Sequence, residues 1–204
     1  MRLKLVTPPA VEPVTTADMQ VQSRITLDSS ETAWAIALVT AVRLQVEAQL
    51  SRALITQTWM GYLDGFPLPC RLNPFSAIDL PIAPVQSVSQ ITYYDTDNAL
   101  QTLSPTAYSV DINDEPGRIY PSVGNSWPET STDMPNAVMV QFVAGYGDTA
   151  STVPACIIQW MLVQLANLYE NRESILVEER RLTQIDITDM TNPLLDAVRW
   201  KVHL

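Results

Sequence analysis

The residue types that most often carry chemistry are histidines, cysteines and paired carboxylates, and this chain places them poorly for it. Its one histidine, His203, is the penultimate residue. Triads with a histidine base, imidazole acid–base steps and His-containing zinc sites therefore have nothing to draw on in the body of the chain. Cys70 and Cys156 lie far apart, and Cys156 sits in an apolar run. That pattern predicts two packed thiols in a reducing compartment rather than a disulfide framework. The acidic stretch Asp111-Ile-Asn113-Asp-Glu115 loosely resembles a calcium loop, but it lacks the Gly at the sixth position and the distal Glu. It reads as a turn. As an acid–base pair, Asp111 with Glu115 is what a hydrolase would have to use. Asp95 and Asp97 read as a hairpin tip, where Asp is favoured because it bonds its own backbone. Gly145-Tyr-Gly147 is not followed by the Lys-Ser/Thr of a phosphate loop, so the glycines read as turn residues of unusual φ. The expectation is a non-enzyme with no catalytic, cofactor-binding or metal residues.

The elements that would position these residues alternate in character. Residues 1–14 contain Pro8, Pro9 and Pro13 and predict an extended arm. Thr15-x-x-Asp18 resembles a capping box and starts a helix to about Ile25. Trp34, Leu38, Val42, Val46 and Leu50 recur every four residues and predict an amphipathic helix with that stripe toward the core. From Ile55 the chain turns rich in β-branched and aromatic residues. Strands are expected over 55–63, 88–94, 100–103, 108–112, 118–120 and 137–144, broken by prolines and by turns such as Asp64-Gly65. Pro154 then opens a long helix that is apolar in almost every direction, from Ile157 to Tyr169. It reads as the central helix of the fold or as an oligomer seam. Residues 174–190 read as a loop or arm, and Asn192-Pro193 starts a last short helix through Trp200. The expected architecture is α+β: a helical bundle core from 15–54 and 145–204, ending in a C-terminal arm, with an antiparallel β-rich block inserted at 55–144.

Composition narrows the function classes. The chain has 204 residues, 47% of them apolar, enough for one fair-sized domain with a real core. Its formal charge is −10, from 22 acidic and 12 basic residues, with no cationic cluster to grip phosphates. No apolar run approaches the ~18 residues of a membrane span. Trp127, in a Pro/Gly/Ser loop, and Trp200, near the C-terminus, are large aromatics of the kind favoured at protein interfaces, so Trp127 is a subunit-interface candidate.

The order of segments resembles the bacteriophage gp6-like head-tail connector (adaptor) proteins, in the branch with a β-rich insertion. The landmarks are Val6-Thr-Pro-Pro9 with Glu12-Pro13, Arg52-Ala-Leu-Ile-Thr-Gln-Thr-Trp59, Leu63-Asp-Gly-Phe-Pro67, Pro84-Val-Gln-Ser-Val88, Pro116-Gly-Arg-Ile119, Trp127-Pro128, Val143-Ala-Gly-Tyr-Gly147, Val153-Pro154 and Tyr169-Glu-Asn-Arg-Glu173. Beyond Ser174 the chain departs, with a longer and more charged segment before Leu194-Leu195. The resemblance implies a structural protein of the virion, made in the host cytoplasm. It would form a twelve-fold ring between the portal protein and the next neck, stopper or tail protein. Genome DNA would pass through its lumen without specific binding. It implies no cofactor and no membrane. Docking onto the portal is expected through Leu194, Leu195, Arg199 and Trp200. The rival readings are a stopper or tail-terminator ring, a tail-associated hydrolase, and a host binding module.

Overall fold

The computed structural model describes residues 1–71, 73–170, 193–196 and 198. The chain divides into two compact units, Met1–Ala10 with Ser51–Asp148, and Val11–Leu50 with Thr149–Leu204.

The first unit is made of strands: β1 (Arg2–Thr7), β2 (Gln57–Leu63), β3 (Ile78–Leu80), β4 (Val85–Tyr94), β5 (Leu100–Thr102), β6 (Tyr108–Asp111), β7 (Gly117–Pro121) and β8 (Val138–Ala144). They form a five-stranded sheet in the order β1-β2-β8-β4-β5 and a three-stranded sheet in the order β3-β7-β6. Every pairing is antiparallel. β8 is central and alternates strictly, with Val138, Val140, Phe142 and Ala144 buried. Period-two alternation puts all four on one face. Both sheets contribute to one core, where Ile91, Val140 and Phe142 from the larger sheet meet Ile78, Leu80 and Ile119 from the smaller. Each such side chain contributes on the order of 1.5–3 kcal/mol by leaving water. β4 shifts register against β8 between Val85 and Ser87 and again between Val88 and Gln90. Those irregularities let the longer strand follow a shorter partner.

The second unit is helical: α1 (Thr16–Ser23), α2 (Thr32–Leu50), α3 (Ala155–Glu170) and a turn of helix at 193–196. The capping box at α1 is present as read. The Asp18 amide donates to Thr15 Oγ1 at 3.2 Å, and the Thr15 amide donates to Asp18 Oδ2 at 2.8 Å. On α2 the buried residues are Ala35, Val39, Val42, Arg43, Val46 and Leu50, while Trp34 is exposed and Leu38 half-buried. A strict four-residue spacing drifts around a helix of 3.6 residues per turn, so the core-facing stripe alternates steps of three and four.

One reading is corrected. The protein is not a helical bundle core with a β-rich block inserted into it. Among the described residues, eight strands in two antiparallel sheets outnumber the few helices, and the α+β label fits only in part. The helical reading weighed α3 by its composition. Burial on α3, however, follows the single stripe Ile157, Trp160, Met161, Gln164 and Leu165, and Leu168 is exposed. The extended N-terminal segment, meanwhile, adds β1 to the sheet by pairing Arg2 with Tyr62 and Leu5 with Trp59. Such a non-local pairing leaves no local sequence pattern.

Removing the central aromatic tests this account of the core. Phe142→Ala is expected to cost about 3–5 kcal/mol in urea unfolding, and Gln141→Ala, one residue along on the outer face, about 1 kcal/mol or less.

Candidate functional site

Among the described residues, the geometry that stands out is the way three backbone segments meet. Residues 51–56, 83–86 and 144–147 converge at one end of the larger sheet. The Ala53 amide donates to the Ala83 carbonyl at 2.9 Å, and the Ala83 amide donates to that of Ser51 at 3.1 Å. The Gly145 amide donates to Pro84 O at 2.9 Å, Tyr146 to Leu54 O at 3.3 Å, and Thr56 to Gly147 O at 3.0 Å. Gln86 Nε2 completes the knot by donating to Gly145 O at 2.8 Å. Gly145 has φ +140°, and a Cβ there would lie 2.6 Å from the Ile55 carbonyl oxygen. Only glycine allows this approach.

Arg52, buried to 7% exposure, clamps the same end. Its guanidinium makes a bidentate pair with Glu115, Nη1 to Oε1 at 2.9 Å and Nη2 to Oε2, and lies 5.8 Å over the Tyr146 ring. Planar fork-to-carboxylate pairing suits a buried site because both charges are satisfied along fixed directions. Glu115 is therefore held by a cation. Asp111 Oδ1 accepts the Asn113 amide at 3.0 Å in a turn. The acid–base pair that a hydrolase would need is engaged elsewhere at both ends.

The helical unit holds a second buried cation. Arg43 Nε donates to Glu12 Oε2 and its Nη1 to Glu47 Oε2, each at 2.7 Å, and Thr40 Oγ1 donates to Glu12 Oε1 at 2.9 Å. The Arg43–Glu47 spacing of four residues was legible in the sequence, but Glu12 reaches it across 31 positions.

Trp127 does not project as a free aromatic. Its ring stacks on Phe66 at 4.8 Å and 7°, and its indole N–H donates to Ser76 O at 2.7 Å. Phe66 also meets Tyr93 edge-on. Together Phe66 and Trp127 wall an open cavity of about 530 Å³ whose rim carries Glu129 and Asp133. Beside it, the β4–β5 turn is tied by Asp95, which accepts the Gln101 side chain at 2.8 Å and the Ala99 amide at 2.9 Å. These bonds hold the Asp95 carboxyl below the usual carboxylate range.

Of the residues expected to dock on the portal, Leu195 is fully buried and Leu194 half-buried. Arg199 and Trp200 lie outside the described residues, as do His203 and the segment 174–190. Cys70 is exposed rather than packed, and Cys156 is half-buried. Among the described residues, no three His, Cys, Asp or Glu side chains are grouped to hold a metal, and no helix is long and apolar enough to cross a membrane.

No protein-family model matches the chain, and no curated protein matches it. Solved structures do. The chain is similar to one in the neck of an empty GTA particle computed with C6 symmetry, at 19% identity over 100% of this chain and 98% of that chain, with TM-score 0.78. It is similar to one in the virion of a native gene transfer agent particle at 20% identity, over 100% and 98%, with TM-score 0.75. A third, in the neck of a native GTA particle computed with C12 symmetry, gives 21% identity, 98% and 97% coverage, and TM-score 0.64. The likeness is one of fold, and it spans both units.

Three outcomes follow from this geometry. Gly145→Ala is expected to destabilise the strand unit by about 2 kcal/mol or more in thermal or urea unfolding, since both its φ and its Cβ are refused. Arg43→Ala strands two carboxylates and should cost about 3 kcal/mol or more, whereas a triple Glu12→Gln/Arg43→Met/Glu47→Gln exchange should recover much of that loss. For Asp95 the folded pKa is depressed, so its contribution holds above the ordinary carboxylate range and is lost as pH falls through the folded value. Hydrogen-exchange protection of the Ala99 amide should therefore drop in acid, and Asp95→Ala should remove that pH dependence.

Proposed function

We propose that the chain is a structural head-tail connector, or adaptor, of a tailed phage or phage-like particle, set in a ring beneath the portal. The observation that carries this reading is the fold match over essentially the whole of both chains to a protein in a gene transfer agent neck. A match confined to one unit would say little, because folds are reused for many purposes. Here strands and helices match together. The particle necks were computed with C6 and C12 symmetry, which favours a closed ring of identical subunits. The net charge of −10 suits a subunit past which DNA slides, because phosphates are repelled rather than held.

Within this reading the C-terminal segment around Leu194, Arg199 and Trp200 meets the portal. Leu195 is already buried. The remaining partner is the next neck or tail protein.

Electron microscopy of particles from a strain lacking the gene tests the reading. DNA-packed or leaking heads beside normal, unattached tails are the expected outcome. Tails of irregular length would assign the chain to a tail terminator instead, and intact tailed particles would overturn the proposal.

A further inference from the structure

Copies of a chain with a net charge of −10 repel one another unless a charge-complementary patch draws them together. The cavity walled by Phe66 and Trp127 supplies one half of such a patch. Its wall is aromatic, its rim carries Glu129 and Asp133, and among the described residues no lysine or arginine lines it. Leu68 at its edge is 82% exposed. The cavity is also held in shape. Stacking and the indole hydrogen bond fix Trp127, and Ser131 pins the rim loop by donating its amide to Tyr94 O at 3.0 Å and its Oγ to Asn98 Oδ1 at 2.5 Å. A preformed, apolar-walled, acid-rimmed concavity favours a convex partner that brings an apolar tip and a cation together.

The chain carries that partner itself, at the C-terminal end of α1. Val21 is 80% exposed, and Arg24, one turn on, is exposed and caps the helix in the left-handed conformation at φ 53°. The other described cations fit less well. Arg43 and Arg52 are buried, while Arg2 pairs with Asp64 and Arg118 with Asp79 and Asp114. Lys4 lies along the flat edge strand β1, and Arg71 follows in the loop that carries Leu68.

We propose that this cavity is a self-association site that receives the end of α1 from a second copy. Val21 packs against the Phe66–Trp127 wall, and the Arg24 guanidinium lies between the Glu129 and Asp133 carboxylates. The contact joins two unlike surfaces, so it propagates head to tail and is of the kind that closes rings. Closure into a ring rests on the proposed place in the neck, whereas the pairing of the two surfaces does not.

Sedimentation of the full chain across a concentration series tests it. Arg24→Glu alone, or Glu129→Lys with Asp133→Lys, is expected to weaken self-association about tenfold or more, and all three together to restore most of it. Added salt should weaken the wild type. These side chains are exposed at the rim or on the helix end, so an unchanged thermal transition controls for folding in each variant. Self-association indifferent to both charge reversals, no recovery in the combined variant, or a wild-type chain still monomeric at about 1 mM would each overturn the inference. A chain found in particle necks but insensitive to the charge swap would sink this inference and leave the connector reading standing. A chain absent from particles but rescued by the swap would do the reverse.

Discussion

The strand unit depends on one close approach, the Gly145 backbone lying against the Ile55–Thr56 peptide with no room for a side chain between them. β2 begins just after residue 56, β4 at Val85, and β8 ends at Ala144. The three neighbouring strands at the middle of the larger sheet are thus tied together at one end by backbone hydrogen bonds as well as by side-chain packing. β8 is paired along its length on both sides, to β2 and to β4. A register slip of one residue would turn Phe142 and its neighbours out of the core. The knot at Gly145 and the alternation along β8 therefore enforce the same register independently.

Buried arginines serve each unit in a similar way. Arg52 with Glu115 in the strand unit and Arg43 with Glu12 and Glu47 in the helical unit each join residues far apart in sequence. Such groups add less net stability than their distances suggest, because desolvating the charges offsets much of the attraction. Their value here is directional. A guanidinium that loses one partner leaves a costly buried charge, so alternative packings of the turn at 113–117 or of residues 11–14 are disfavoured.

The landmarks of the resemblance take on a physical meaning once the fold is known. Arg52 to Trp59, Pro84 to Val88 and Val143 to Gly147 are separate in sequence, yet they are the three segments that meet at the junction. Pro116 follows the Glu115 that clamps it, and Trp127 walls the cavity over Phe66. Each was legible as a segment. Their convergence was not, because hydrogen bonds between residues 30 to 92 positions apart leave no periodic trace. The cavity was half legible: Trp127 marked a surface of interest, but no local pattern pointed to Phe66 as its stacking partner or to Ser131 as the residue that fixes the rim.

Local chemistry alone determined most of the elements. The Thr15–Asp18 capping box, the turn at Asp95–Asn98, the alternation over 138–144 and the start of α3 after Pro154 depend on hydrogen bonds and periodicities confined to a few residues, which any stretch of chain exhibits by itself. Tertiary structure decided where the weight of the fold lies. The short strands β3 and β7 place only a few large apolar side chains each, too few to announce a core, yet pooled across two sheets they bury Ile78, Leu80, Ile119 and Phe142 completely or nearly so. α3, apolar all round, buries a single stripe. Hydrophobicity along a sequence states how much surface seeks cover. Which surfaces cover one another is settled only by the pairing of distant segments, and here that pairing gave the strands a core of their own instead of leaving the helices to supply it.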